Sequence, residues 1–183
     1  NGLMDMKPRN LPVFADPNLK QSFAQEKDSL TVHPINKAGT IARNACDFQK
    51  ASGPVEMVQM LGHSMHAVSL PKGESLTYDF SVEKEGDALL KIALIPTQPS
   101  NQGDLRFSVS IDGAAPTVLS LKEPFRSERW KLNVLRGQAV RDMKLTGLTA
   151  GKHTLVIKAL DHHVLVDQWM IDSDLSRQFY LFP

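Results

Sequence analysis

The chain has 183 residues, of which 42% are hydrophobic, and carries 21 Lys and Arg against 20 Asp and Glu. This length suits one domain with an ordinary core plus an extension, and leaves too little chain for a second full domain. The near balance of charge, with no window that concentrates basic and aromatic residues, argues against nucleic acid as a partner. No apolar run approaches the roughly 20 residues of a membrane span.

Residues 1–28 show no sustained hydrophobic period, and Pro8, Pro12 and Pro17 interrupt any helix there. We predict an extended N-terminal arm or linker that lies along a domain surface or a neighbouring module. Because Asn1 is not a translation start, we expect a signal peptide, a larger enzyme, or both upstream. A periplasmic or secreted location is our expectation, which the single cysteine of the chain allows.

Short strands separated by turn signals follow from residue 29 to the end of the chain. Leu105, Phe107, Val109 and Ile111 alternate with polar residues, as in a half-buried antiparallel strand, and Asp112-Gly113 then supplies a tight hairpin turn. Strands are predicted at 29–32, 39–43, 55–60, 66–70, 75–82, 88–95, 105–111, 117–121, 142–148, 153–160 and 164–171. This spacing predicts an all-β fold over 29–183, an antiparallel β-sandwich of jelly-roll or galactose-binding-like type.

The same alternation predicts which side chains face the core. The expected inward residues are Leu76, Tyr78, Phe80, Leu90, Ile92, Phe107, Val109, Leu155 and Ile157.

One short helix is predicted, in "SERWKLNVLRG". Ser127 or Glu128 would open it and Gly137 would close it. The spacing of Leu132, Leu135 and Ala139 predicts an amphipathic segment that packs across one end of the sandwich.

Several segments together resemble a known family. They are "LIPTQP" and "LRFSVSIDGAAP" between residues 94 and 116, the piece from Trp130 to Asn133, "HTLVIKALD" and "VDQWMID" near the end, and the terminal "FYLFP". This set is similar to the C-terminal β-sandwich domain of family 115 glycoside hydrolases, the xylan α-glucuronidases. The resemblance implies a non-catalytic accessory domain, since the family's catalytic acids belong to an upstream barrel. We therefore expect this chain alone not to hydrolyse a glycoside.

A candidate recognition site lies on two predicted loops at one end of the sandwich. Sugar recognition needs an aromatic face with amide or guanidinium donors around it. Trp130, with Asn133 and Arg136 one turn on, fits that description, and Thr97, Gln98 and Asn101 would converge with it. Alternatively, Trp130 caps the sandwich, or the patch docks on a catalytic module or a second protomer. The ligand would be a polysaccharide or oligosaccharide, with glucuronoxylan as the candidate.

No catalytic motif accompanies this patch. His63 and His66, and the adjacent His162 and His163, complete no metal-ligand spacing, so we predict no metal and no cofactor. Asp167 is expected to point into the sandwich on the side of Leu165, Trp169 and Ile171, with loop amides as its partners. We interpret Trp169 as buried.

Two further points concern the segment "IARNACDFQKA". Cys46 is interpreted as a small buried thiol on a strand. Sandwiches similar to this one often hold a structural calcium with an acidic first strand, but Asn44, Ala45 and Cys46 replace that pattern here. Only Asp47 is retained, so the resemblance leaves calcium undecided.

Two classes of function remain. The first is an accessory domain of an α-glucuronidase-like enzyme, serving in module docking, dimer contacts or carbohydrate binding. The second is a free-standing secreted carbohydrate-binding protein. A gene that extends upstream through a barrel would favour the first, and a signal peptide just before Asn1 the second.

Overall fold

The computed structural model describes residues 39–99, 103–179 and 181–182. The predicted arm, 1–28, and the predicted strand at 29–32 lie outside these ranges. Within them the elements are β1 (Thr40–Asn44), β2 (Lys50–Ala51), β3 (Glu56–Gln59), β4 (His66–Leu70), β5 (Ser75–Val82), β6 (Gly86–Leu94), β7 (Arg106–Ile111), β8 (Thr117–Ser120), α1 (Glu128–Arg136), β9 (Ala139–Leu148), β10 (Gly151–Ala159) and β11 (Val164–Asp172).

The strands form two antiparallel sheets. The first has the order β3-β4-β11-β6-β9, with β1 also paired to β11, and the second has the order β2-β5-β10-β7-β8. One hydrophobic core lies between them: Trp169 of the first sheet meets the edges of Tyr78 and Phe80 of the second, with ring centroids 5.4 and 5.9 Å apart. The predicted all-β antiparallel sandwich is confirmed.

The nine side chains that alternation places inward are all buried. Seven of them belong to the central strands β5, β6 and β10, whose alternate positions lie against the opposite sheet. The Asp112-Gly113 turn is also as expected. Both residues have positive φ, 52° and 72°, and Ala114 N–H donates to the Ile111 carbonyl across the turn, which is the type I′ geometry.

Strand β11 departs from simple alternation at Asp167. Its register with β6 shifts between Val166 and Gln168, so one extra residue forms a β-bulge. The bulge changes the phase of the strand: Val166 precedes it and Trp169 follows it, and both face the core. The predicted common side of Leu165, Trp169 and Ile171 is therefore wrong, because Leu165 lies on the other phase and is only half-buried.

Cys46 also lies differently from the prediction. β1 ends at Asn44, and Ala45–Asp47 forms a 3-10 turn in which Cys46 is half-buried. The turn is held at both ends, since the Asp47 carboxylate accepts from Asn44 N–H and the buried Tyr78 hydroxyl donates to the Ala45 carbonyl. Burial, with the neighbouring Asp47 charge, raises the pKa of the Cys46 thiol.

The predicted helix exists, but the predicted apolar stripe is not the side of it that packs on the sandwich. The Ser127 hydroxyl caps the first turn by accepting from Trp130 N–H, and Gly137 ends the helix with φ of 62°. None of the nine residues of α1 is buried, and Leu132 and Leu135 are exposed. The third residue of the predicted stripe, Ala139, begins β9, so the helix ends before a continuous apolar face can form. In the described part of the chain, no helix is long and apolar enough to cross a membrane.

Candidate functional site

Four of the six predicted site residues meet at one small cavity. Thr97 and Gln98 follow β6, while Trp130 and Asn133 reach the cavity from α1. The Thr97 hydroxyl donates to the His163 carbonyl at 2.7 Å, which fixes the loop against the start of β11. Arg136, in the last turn of α1, is not part of the cavity wall, and Asn101 lies outside the described residues.

The cavity is too small for a sugar ring. Its volume is about 20 Å³, room for a single water molecule, whereas small-molecule sites occupy roughly 300 to 1,000 Å³. Phe125 covers the Trp130 ring edge-on, with centroids 5.2 Å apart. The indole Nε1 of Trp130 is buried, with no hydrogen-bond partner among the described residues. Trp130 is half-buried and forms part of the wall of this small cavity.

A carboxylate shared by two arginines closes the cavity on another side. Glu123 Oε1 lies 2.6 Å from the guanidinium of Arg141 and 3.1 Å from that of Arg129. Arg141 is buried and also donates to the Ser120 carbonyl at 2.6 Å. Sequence reasoning missed this group because it began β9 at residue 142. The sequence feature that could have revealed this group is Arg141, which stands at an inward position between Ala139 and Leu145.

The surface above the cavity combines apolar and basic groups. Phe125 is 72% exposed and Leu135 is 84% exposed, while the Arg126 guanidinium lies 5.2 Å from the Phe125 ring centroid. Residues 122–137 carry five Lys or Arg and two Glu, an excess of three positive charges in a chain whose net charge is +1. We refer to the exposed surface of residues 125–136 as the helix face.

The loop between β3 and β4 lies beside the helix face. His63 Nε2 is 2.8 Å from the Arg136 carbonyl, the geometry of an N–H that donates to the C-terminal end of α1. Met60 and Met65 on this loop are exposed, and the Met60 N–H donates to the Met65 carbonyl. The loop thus extends the apolar surface past the end of the helix.

Asp167 holds this loop in place. Its buried carboxylate accepts from the backbone N–H groups of His63 and Ser64 at 2.8 and 3.1 Å, and from the Ser64 hydroxyl at 2.6 Å. Gln138, which follows α1, donates a fourth bond at 3.3 Å. The structure therefore assigns Asp167 the predicted role, satisfied by loop amides, and the β-bulge aims it at them.

Amide side chains surround Asn44, in the segment where the family resemblance left a structural calcium undecided. Gln168 Nε2 donates to the Asn44 Oδ1 at 3.1 Å, and Gln138 Nε2 lies 3.4 Å from the Gln168 Oε1. The Asn44 oxygen is thus engaged by an N–H donor. In residues 39–99, 103–179 and 181–182, no group of three or more His, Cys, Asp or Glu is placed to hold a metal ion.

The remaining acids near the C-terminus have structural partners. Asp161 accepts from the Arg106 backbone N–H and, through both carboxylate oxygens, from its guanidinium. These bonds lower the pKa of Asp161 to about 2. Asp172 accepts from the Thr40 hydroxyl and Asp174 from the Ser176 hydroxyl, and the Arg177 guanidinium lies 3.6 and 3.5 Å from the two carboxylates.

A larger groove lies elsewhere, between β1 of the first sheet and β5 and β10 of the second. Its volume is about 500 Å³. Arg43, Asp79 and Lys152 supply charged groups to its walls, and Phe80 supplies an aromatic edge. No residue pattern predicted it, because β1, β5 and β10 are far apart in sequence and only the pairing of the sheets brings them together.

Comparison with known proteins matched residues 38–183 to the glycosyl hydrolase family 115 C-terminal domain. Comparison with curated proteins found no match. Among solved structures, a family GH115 4-O-methyl-α-glucuronidase with specificity for decorated arabinogalactans is 38% identical, with a TM-score of 0.68 over 74% of this chain. The match covers 18% of that protein's length.

Two carbohydrate-binding modules share the fold at low identity. The C-terminal CBM6 of a laminarinase from Zobellia galactanivorans has a TM-score of 0.55 at 13% identity, over 73% of this chain and 98% of the module. A family 35 module from Clostridium thermocellum has a TM-score of 0.55 at 15% identity, over 72% and 98%. The family match and the 38% identical relative together show that this chain belongs to glycoside hydrolase family 115, within its C-terminal domain.

Proposed function

We propose that this accessory domain docks through its helix face on the catalytic region of a family 115 enzyme in the same polypeptide. The observation that carries the proposal is α1 itself, a helix of nine residues that buries none of them. A helix this short is marginal without tertiary packing. Exposed apolar area of this kind gains about 25 cal/mol per Å² when a partner covers it.

The charge around the helix face specifies the partner further. The basic excess of residues 122–137 favours an apolar surface with an acidic rim. Exposed pairs at such a rim contribute little energy each but guide orientation and are screened by salt. We therefore expect docking that rests on apolar burial and weakens as ionic strength rises.

The loop that Asp167 holds would belong to the same interface. Met60 is 78% exposed, and the bond between His63 and the Arg136 carbonyl joins loop and helix into one continuous surface. Trp130 and Asn133 then form the inner side of α1, and Thr97 and Gln98 lie across the small cavity from them. This arrangement favours the docking alternative of the sequence prediction over a sugar site around Trp130.

The choice of partner rests on the place of this domain in its family. The matched region is the C-terminal domain, and the solved relative extends well beyond it. The reaction of the whole protein would take place in that other region. We propose a glucuronic-acid-bearing polysaccharide as its substrate, because the solved relative is a 4-O-methyl-α-glucuronidase. Glucuronoxylan is the candidate that the sequence resemblance implies, and a decorated arabinogalactan is the one that the specificity of the solved relative suggests.

Hydrogen exchange tests the docking directly. Backbone amides of residues 60–65 and 128–136 should exchange more slowly in the full-length protein than in the 183-residue chain, and added salt should reduce this protection. The double substitution Phe125→Ser and Leu135→Ser should abolish it. Val118→Ser is the matched control, since Val118 is a similarly exposed hydrophobic residue on β8.

Three results would contradict the proposal. Equal exchange of both segments in the two proteins would mean that the helix face stays open to solvent. Protection in the 183-residue chain that increases with concentration would identify a second copy as the partner. An equal loss of protection in the Val118→Ser control would mean that the contact lies elsewhere.

A further inference from the structure

The groove between β1, β5 and β10 differs from the cavity beneath α1 in size and in openness to ligands. At about 500 Å³ it has the size of a small-molecule site. None of the residues of the helix face lines it, so an inference about the groove is independent of the docking proposal.

Positive charge on the groove walls is incompletely balanced. The Lys152 ammonium has no hydrogen-bond or ion-pair partner among the described residues. The Arg43 guanidinium makes one hydrogen bond, to the Ala42 carbonyl at 2.8 Å, which leaves most of its five N–H donors available. Asp79 is the single acidic residue of the wall.

His153 also lines the groove, but its ring is engaged within the protein. His153 Nδ1 lies 2.6 Å from the Asp112 carboxylate, and its Nε2 lies 2.8 Å from the Thr149 carbonyl. Both ring nitrogens are therefore engaged inside the protein and offer nothing to a ligand. The basic groups that the groove offers to a ligand are therefore Arg43 and Lys152.

Neutral groups complete the groove. Ile41, which packs beside the nearly buried Phe80, supplies the apolar part of the wall, and Ser81 supplies a hydroxyl with no hydrogen-bond partner among the described residues. The Thr154 hydroxyl donates to Asp79 at 3.3 Å, which leaves its lone pairs free to accept. A ligand matched to these walls has one carboxylate, several hydroxyls and an apolar face.

We propose that this groove binds an acidic saccharide, with its carboxylate against Arg43 and Lys152, its hydroxyls on Ser81 and Asp79, and its ring on Ile41. A simple inorganic anion would use the two cations and the Ser81 hydroxyl, but it would face the Asp79 carboxylate without a hydroxyl to donate and would not use the apolar wall. A neutral saccharide would leave the two cations without a partner.

Amide chemical-shift titration of the 183-residue chain distinguishes these ligand classes. D-glucuronic acid, D-glucose and sodium phosphate are added separately at matched pH and ionic strength. Glucuronic acid should shift the amides of residues 41–43, 79–81 and 152–154 in a saturable way, while glucose and phosphate bind at least tenfold more weakly. The amide signals of the helix face should not shift.

Substitutions then test the assigned cations. Arg43→Gln and Lys152→Gln should each weaken glucuronic acid binding by roughly tenfold, the effect of losing one charge-assisted contact. Lys158→Gln is the matched control, because Lys158 is an exposed lysine on the same strand, outside the groove, and it should bind like the wild type.

Any of four results overturns the proposal: no saturable shift at the groove, equal binding of glucose, equal binding of phosphate, or an equal loss in Lys158→Gln. The first removes the site. Equal binding of glucose would mean that the site does not recognise the carboxylate, and equal binding of phosphate that it does not recognise the sugar. An equal loss in Lys158→Gln would mean that binding depends only on the overall charge of the protein.

Discussion

His153 shows how one buried side chain makes the stability of this sandwich depend on pH. Its ring stacks on Phe80 with centroids 5.4 Å apart, and acceptors face both ring nitrogens. Only the imidazolium can donate to both. The hydrogen bond to Asp112 therefore raises the pKa of His153. Burial opposes the charged form of Asp112, but its bonds from His153 and Thr154 prevail and lower its pKa.

The two shifts set a pH window. A raised pKa of His153 stabilises the fold fully below its unfolded value, about 6.5, and this contribution is lost as pH rises through the folded value. A lowered pKa of Asp112 stabilises the fold above about 3.9, and this contribution is lost as pH falls through the folded value. Both contributions are present together between about pH 4 and 6.5.

We predict that Asp112→Asn destabilises the protein most inside this window. The expected loss is about 1 kcal/mol at pH 5.5, because the carboxylate is half-exposed and its ion pair is screened. Asparagine tolerates the positive φ of this turn position, so the backbone should be preserved. Urea unfolding at pH 5.5 and pH 9, at constant ionic strength, measures the difference.

Glu85→Gln, a substitution in an exposed turn, provides the control for this measurement. It should change the free energy of unfolding equally little at both pH values. A deficit in Asp112→Asn that is as large at pH 9 as at pH 5.5 would show that His153 carries no charge in the folded state.

Among the elements, the loop between β3 and β4 should tolerate substitution least. Gly62 has φ of +80°, and a Cβ there would lie 2.3 Å from Asp167 Oδ1 and 2.5 Å from its Cγ. The carboxylate cannot withdraw without breaking its bonds to His63 and Ser64. The β-bulge of β11, the glycine and the loop amides therefore form one structural unit.

We predict that Gly62→Ala destabilises the protein by roughly 2 to 4 kcal/mol, the sum of backbone strain and weakened bonds to a buried carboxylate. Gly113→Ala is the matched control: its φ is +72°, but no atom lies near the added Cβ, so it should lose only about 1 kcal/mol. Chemical denaturation of both variants gives the comparison. Equal losses would mean that Asp167 adjusts freely.

The strands and the helix also show how much of the fold can be predicted from the sequence. Strands β5, β6, β7, β10 and β11 follow from alternation and turn residues, which are local signals, and so do the caps of α1. The bulge at Asp167 and the exposure of Leu135 cannot be predicted from local signals, because each depends on what lies across the sheet or beside the helix. The candidate residues around Trp130 were located by a local pattern, whereas Glu123, Arg141 and the groove at Arg43 need the assembled sheets.

On the scale of the whole molecule, two phenylalanines illustrate the difference between the core and the surface. Phe107 is fully buried between the sheets, and Phe125 is largely exposed. We predict that Phe107→Ala destabilises the fold by about 3 to 5 kcal/mol through the cavity it leaves. Phe125→Ala should cost only about 1 kcal/mol, because the side chain is largely exposed and loses little besides its edge-on contact with Trp130.

Equilibrium urea unfolding of the 183-residue chain tests both values. A large loss in Phe125→Ala would show that the helix face is packed within the chain itself, which would argue against the docking proposal. A small loss in Phe107→Ala would show that the assigned face of β7 is incorrect.

The edge of β11 that β4 and β1 share has a consequence for the order in which the protein assembles. Thr40 pairs with Asp172 and Asn44 with Gln168, so the first described strand finds its partner only after more than 120 further residues have been made. Contacts so distant in sequence close slowly and late in folding. During synthesis, β1 therefore leaves the ribosome long before its partner and must wait, unpaired, until β11 follows. Completion of the first sheet thus depends on the release of the last strand.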